Sequence, residues 1–239
     1  MLSNSDISGW TTAARTAAAD SAQIAIRGEL AKFTAETFSR VGEELHVVGH
    51  IFGSDRVSGA SPKGHGSDEV VAVSLLFRIG GQLTSAIADM FADGRHYAAA
   101  ALLRQIVEIE YLAWAFETRD NDAERWLRST ADELRTFFKP AKLRQAANGK
   151  FRGKDYSYHC ELGGHPVPGS HILFQDNGDV SQLLLSDLLG HTGRIWDHLL
   201  HWSAGNTWAS PIHSRSEAMH LRYDAWKKAD DLTRLPPSP

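Results

Sequence analysis

The chain has 239 residues, 42% of them hydrophobic and 23% charged, with a formal net charge of -4, which suffices for one sizeable core and argues against indiscriminate nucleic-acid binding. Its one cysteine, Cys160, excludes an internal disulfide and fits a reducing compartment. No stretch approaches the ~18 uninterrupted apolar residues of a membrane span, and MLSNSDISGWTTAARTAAAD lacks the basic-then-apolar order of a secretory signal, so a soluble cytoplasmic protein with no membrane attachment is expected.

The apolar period is helical from the start. An N-terminal helix over 5–27 precedes residues 29–52, where Phe38, Val41, Leu45, Val48 and Phe52 fall on one face. The Gly- and Ser-rich stretch to Ser67 reads as a loop ending in a helix N-cap, with Asp68 and Glu69 in the first turn. A long apolar helix over 68–92 follows, in which Gly80-Gly81 marks a close backbone approach, and Gly94 separates it from a central helix at about 95–117. Asn121 and Glu124 resemble a capping box for the next helix, which Pro140 ends or kinks. The Gly- and Pro-rich region 149–180 reads as irregular loop or a minor hairpin. Residues 180–203 are helical again, and Ser214 with Glu217 caps a last helix over 215–232. The prediction is an all-α helical bundle with long central antiparallel helices, in a single domain spanning 1–235 with its core at 29–205.

Polar residues stand out against this pattern. Arg104 and Glu108 sit at i, i+4 in the apolar central helix, either as a buried ion pair fixing register or as part of a polar pocket. Helix 180–203 carries Asp187, His191, Arg194, His198 and His201 on one line, whose simplest reading is a solvated outer face. His46 and His50 have the H-x-x-x-H spacing of a metal pair, with His191, His198 or His201 as an imaginable third ligand, but no Glu completes a zinc-protease motif. No complete ligand set is visible at helical spacing, so neither a metal nor another cofactor is expected. Cys160, between His159 and His165, reads as a small semi-buried residue.

From Arg135 to Lys154 there are seven Lys/Arg and no Asp/Glu, interleaved with Phe137, Phe138 and Phe151 and leading into Tyr156 and Tyr158. Arginine forks suit phosphate oxygens, histidine exchanges protons near neutral pH, and exposed rings stack on bases. Arg152, Tyr156, His159 and His165 therefore make a candidate site for RNA or another anionic ligand. The plainer alternative is a solvated cationic face over core aromatics, with His165-Pro166 as a turn.

The succession AAALLRQIVEIEYLAWAF, a Trp-containing helix of mixed charge, and then Tyr156 to His165-Pro166 resembles uncharacterised bacterial helical proteins of the HEPN-like type over roughly residues 70–205. The resemblance implies an all-α bundle. In catalytically active relatives it also implies metal-independent RNA cleavage by an Arg and a His with four to six residues between them, a spacing that Arg152 and His159, with six between, match. On that reading Arg152 stabilises the phosphorane charge, His159 is general acid or base, and Arg104, Glu108, Tyr156 and His165 line the binding site. Gly153 departs from the polar residue of active members, and His165 is a rival histidine. The alternative implied by the same resemblance is a non-catalytic binding, regulatory or dimerisation module for an anionic ligand, a protein partner or a second copy of the chain.

Overall fold

The computed structural model describes residues 12–52, 67–151, 153–174 and 178–234, and every regular element among them is helical, with no strand. Helix α1 is Thr12–Ala19 and α2 is Ser21–Phe52. The chain breaks between them at Asp20, whose carboxylate accepts from the backbone N–H groups of Ala22 and Gln23, so α2 begins well before position 29. Helix α3, Asp68–Ala92, starts where the sequence places it, with the Ser67 hydroxyl accepting from the Val70 N–H. A turn through Gly94, at φ +73°, leads into α4, His96–Thr118.

Gly42, Gly49 and Gly81 explain how closely α2 and α3 lie together. A Cβ on Gly81 would come within 2.9 Å of the Ser39 backbone nitrogen, and one on Gly42 within 2.8 Å of that of Arg78. The two helices are therefore antiparallel with touching backbones, and Gly80-Gly81 brings about this approach without interrupting the helix. Three short helices follow: α5 Asp122–Arg128, α6 Ala131–Phe137 and α7 Pro140–Ala146. Asn121 takes a left-handed conformation and its side chain caps nothing; the capping box belongs to Thr130 and Glu133, at the start of α6.

The region read as loop is mostly helical turns. It comprises α8, Gly153–His159, continued by a π-turn over Cys160–Gly164 and a 3-10 turn over Pro168–Phe174. Gly163 is the reason this segment can fold onto α4: a Cβ there would lie 2.5 Å from the Ala100 carbonyl carbon. Two long helices complete the bundle, α9 Asp179–Ser203 and α10 Ser210–Ala229, followed by a 3-10 turn at Asp231–Arg234. The last helix starts at Ser210 with Pro211 in its first turn, and Ser214 lies inside it, bonding back to the Pro211 carbonyl.

The core is continuous across α2, α3, α4, α9 and α10, with Phe38, Phe77 and Trp196 at its centre. By length and apolarity α3 would be long enough to cross a membrane, yet most of that stretch is buried in the bundle. Not all the long helices are antiparallel to their neighbours. Glu110 meets His191 and Glu117 meets His198 at the same separation of 81 residues, which only parallel packing of α4 and α9 allows. Against α9, α10 is antiparallel, held through Thr192 and Tyr223. At the bundle's end Arg27 and Asp230, both fully buried, tie α2 to the C-terminal turn. Arg27 also donates to the carbonyls of Ala17 and Ala18, which anchors α1.

Candidate metal centre

Parallel packing of α4 on α9 brings two acid–histidine pairs into one interface, one on each seven-residue repeat. In the first, His191 Nδ1 lies 2.5 Å from Glu110 Oε2, and Arg194 Nε donates to Glu110 Oε1 at 2.7 Å. The His191 ring is 1% exposed and the Glu110 side chain 3%. A carboxylate this close favours a proton on Nδ1, because two lone pairs at that distance would repel, while Arg194 Nη2, a donor, lies 2.8 Å from the same nitrogen and opposes it. The other ring nitrogen, Nε2, is left pointing at α8. There His159, also 1% exposed, presents its own Nε2 at 3.3 Å.

Asp187, one turn before His191, closes the figure: its Oδ2 is 3.1 Å from His159 Nε2 and its Oδ1 is 3.5 Å from His191 Nε2. Two imidazole nitrogens and one carboxylate thus converge, with a ligand atom of each residue within 4.8 Å of the others. A tetrahedral zinc ion with bonds of about 2.05 Å has ligand atoms about 3.3–3.4 Å apart, the spacing found here. Glu110 stands where a carboxylate behind a ligating histidine stands, holding the tautomer that leaves Nε2 open for an ion. The Asp187 side chain is 34% exposed, so one side of the triangle faces solvent.

The carboxylates favour positive charge on the histidines, a proton that a metal ion would have to displace. Desolvation works against ionisation of Glu110, but the His191 hydrogen bond, the charge on His191 and Arg194 together keep its carboxyl below the usual range. Desolvation likewise opposes the charge on Asp187, and His191, His159 and Arg194 outweigh it, holding the carboxyl well below its ordinary value. For His191, burial disfavours the imidazolium, yet Asp187 and Glu110 raise its pKa above the usual histidine value against the opposing Arg194.

The second pair sits two turns on. Glu117 accepts from His198 Nδ1 and lies 3.1 Å from His201 Nδ1. Burial lowers the His198 pKa, with Lys150 adding to the effect and Glu117 opposing it. The line of polar residues on α9 is therefore not a solvated face, since His191 and His198 are both buried against α4.

No family model, curated protein or solved structure matches this chain. What its site does has to be argued from geometry.

Of the residues singled out in the sequence, Arg104, Glu108 and Tyr156 come together. Arg104 Nε donates to Glu108 Oε1 at 3.1 Å, the Tyr156 hydroxyl donates to the same oxygen at 3.1 Å, and Arg104 and Arg144 lie over the Tyr156 ring. The Arg104 and Glu108 side chains are 29% and 31% exposed, so the expectation of deep burial does not hold. They lie on the face of α4 that α8 only partly covers. Burial and the Glu108 charge raise the Tyr156 pKa.

His159 is one turn from Tyr156 but turns inward to His191 and Asp187, away from that cluster. His165 is exposed, beyond the π-turn. Arg152 and the side chain of His50 lie outside the described residues, and His46 Nδ1 is 3.5 Å from the Ser74 hydroxyl. The sequence reading missed Asp187, His191 and Glu110 as a set because only the fold delivers His159 to them.

Proposed function

We propose that this protein holds a single divalent transition-metal ion on His159, Asp187 and His191, in a centre of the open, catalytic kind. The observation that supports this reading is the convergence of His159 Nε2 and His191 Nε2, 3.3 Å apart, on the Asp187 carboxylate, whose Oδ2 is 3.1 Å from the first and whose Oδ1 is 3.5 Å from the second. Hydrogen bonding gives the competing account: a proton on His159 Nε2 can be donated to Asp187 Oδ2 at 3.1 Å, with His191 Nε2 at 3.3 Å as an acceptor. A metal ion in place of that proton would be held by one atom of each of the three side chains.

Two imidazoles and one carboxylate suit zinc or non-haem iron(II). Structural zinc sites are closed by four protein ligands, whereas three ligands beside a solvent-facing edge leave room for water or substrate. A bound ion would act there as a Lewis acid, lowering the pKa of its water. The protein's part is to fix the rings, through Glu110 and Arg194, and to keep water from all sides but one. Elemental analysis of protein purified without a histidine tag tests the reading. About one zinc or iron per chain is expected, and protein that neither carries nor takes up such an ion refutes it.

A second reading rests on a separate surface. Arg135, Lys139, Lys142 and Lys150 are exposed along α6, α7 and the turn after them, and Arg125 and Arg144 stack on Phe137 and Tyr156. This supports binding of RNA or another polyanion, the module reading that accompanies a HEPN-like resemblance. Cleavage by Arg152 and His159 gains no such support, because the His159 ring is buried with its Nε2 directed at Asp187 and His191. Filter binding of single-stranded RNA at rising salt tests this reading; affinity should fall with a log–log slope of about -0.7 per phosphate contact.

A further inference from the structure

The three donor residues are unequally held. Asp187 and His191 share one face of α9, a 25-residue helix of the continuous core, with Leu188 and Leu189 between them fully buried. His159 comes instead from a run of short elements: α8 has seven residues, the π-turn five and the 3-10 turn seven. None of these is long enough to persist alone in water, because nucleating a helix costs more than its first turns return. The run is held by what it packs against.

That packing is mainly on α4. Leu162 and Leu173 join the core, and Gly163 lies against the backbone of Ala100 and Ala101. The far half is looser. Phe174 stacks on Tyr97 with ring centres 6.0 Å apart yet stays 76% exposed, and an open apolar recess of about 530 Å3 lies among Tyr97, Pro166, Val167, Pro168 and Phe174. Sparse apolar contact of this kind marks a segment that opens before the rest of a fold does. Towards α9 the run is joined through the His159 ring, whose Nε2 meets Asp187 and His191. His159 is thus a polar joint between a lightly anchored run and a rigid helix. It is also hard to reach, since its ring and that of His191 are each 1% exposed.

We propose, on the strength of the metal reading above, that residues 153–174 form a strap that lifts from α4 as a unit and is locked down when an ion joins His159 to Asp187 and His191. Lifting would open the two buried rings to an incoming ion. Closure would deliver the third ligand, and any later opening would have to break the bond between the ion and His159. The strap would be less protected than the core of α9 in the metal-free protein and would tighten on binding. Openings elsewhere that leave the site intact would not respond to the ion.

Hydrogen–deuterium exchange read by mass spectrometry tests this on untagged protein, first freed of metal and then titrated with zinc, under conditions where closing outpaces exchange. Without metal, peptides from 156–174 should exchange at least ~100-fold faster than those from the core turns of α9. With free zinc at about 100 times its dissociation constant they should slow about 100-fold, because the open strap lacks the third ligand. Asp187→Asn removes a ligand without altering the strap itself, and its strap should respond at least ~10-fold less to the same zinc concentration. His159→Ala should abolish the response while α9 stays protected. If zinc binds stoichiometrically but the metal-free strap exchanges as slowly as the core of α9, or exchanges fast and is unchanged by zinc, the strap inference is wrong and the metal reading stands. An equal zinc response in Asp187→Asn would also overturn it. If zinc does not bind at all, both fail.

Discussion

Glu110→Gln is a nearly isosteric change, yet the hydrogen bonds around it make its consequence specific. The carboxylate accepts from His191 Nδ1 at 2.5 Å and from Arg194 Nε at 2.7 Å, and both partners are donors. An amide has only one oxygen to offer. If that oxygen stays on Arg194, the NH2 group faces His191 Nδ1 and drives the ring into the tautomer protonated on Nε2, the nitrogen that faces His159 and Asp187. If the oxygen stays on His191, the buried amide donor opposes Arg194. Either arrangement disfavours metal binding, and removal of a carboxylate behind a ligating histidine typically costs 10–100-fold in affinity, or about 1.4–2.7 kcal/mol. The assay is zinc titration against a chromophoric chelator, with circular dichroism to confirm that the bundle is intact. A folded Glu110→Gln protein that binds zinc within about twofold of the parent would refute the role given to Glu110.

Three further outcomes follow from the packing. Asp230→Ala leaves Arg27 buried and charged, with Trp226 Nε1 and the Leu232 N–H also losing their acceptor; urea unfolding should show a loss of about 3–5 kcal/mol, and a loss under about 1 kcal/mol would contradict the clamp. Gly163→Ala places a Cβ 2.5 Å from the Ala100 carbonyl carbon, where only backbone could yield; it should destabilise by about 1–3 kcal/mol and weaken zinc binding, and unchanged binding would mean that the π-turn does not position His159. Tyr223, bonded to Thr34 and Thr192, has its pKa pushed up by burial to about 12. The fold thus favours its neutral form, so its contribution is complete below the unfolded value near 10 and is lost as pH rises from ~10 towards 12; Tyr223→Phe should remove that alkaline limb of the stability profile.

The long helices were legible because their apolar residues recur at helical spacing and because Ser67 and Gly94 punctuate them. The region after Lys150 was not. Gly153, Gly163 and Gly164 read as loop by composition, whereas Gly163 serves close packing on α4 and the backbone around it is helical. Asn121 and Ser214 matched capping patterns, but a left-handed backbone and an earlier start at Pro211 put the caps elsewhere.

Half of the candidate centre was visible in principle. Glu110 and Glu117 are seven apart, as are His191 and His198, a matched repeat that parallel helices bring into register. Asp187 and His191 have the i, i+4 spacing of a ligand pair. His159 could not be added from spacing, since its approach depends on how the turns of 153–164 fold back over α4.

The most direct test is a crystal of the untagged protein grown with zinc, with diffraction recorded on both sides of the zinc absorption edge. The account predicts one strong anomalous peak per chain, about 2.0–2.2 Å from His159 Nε2, His191 Nε2 and an oxygen of Asp187. A triangle that stays hydrogen-bonded and without an anomalous peak in excess zinc, or a peak held by other residues alone, would contradict it.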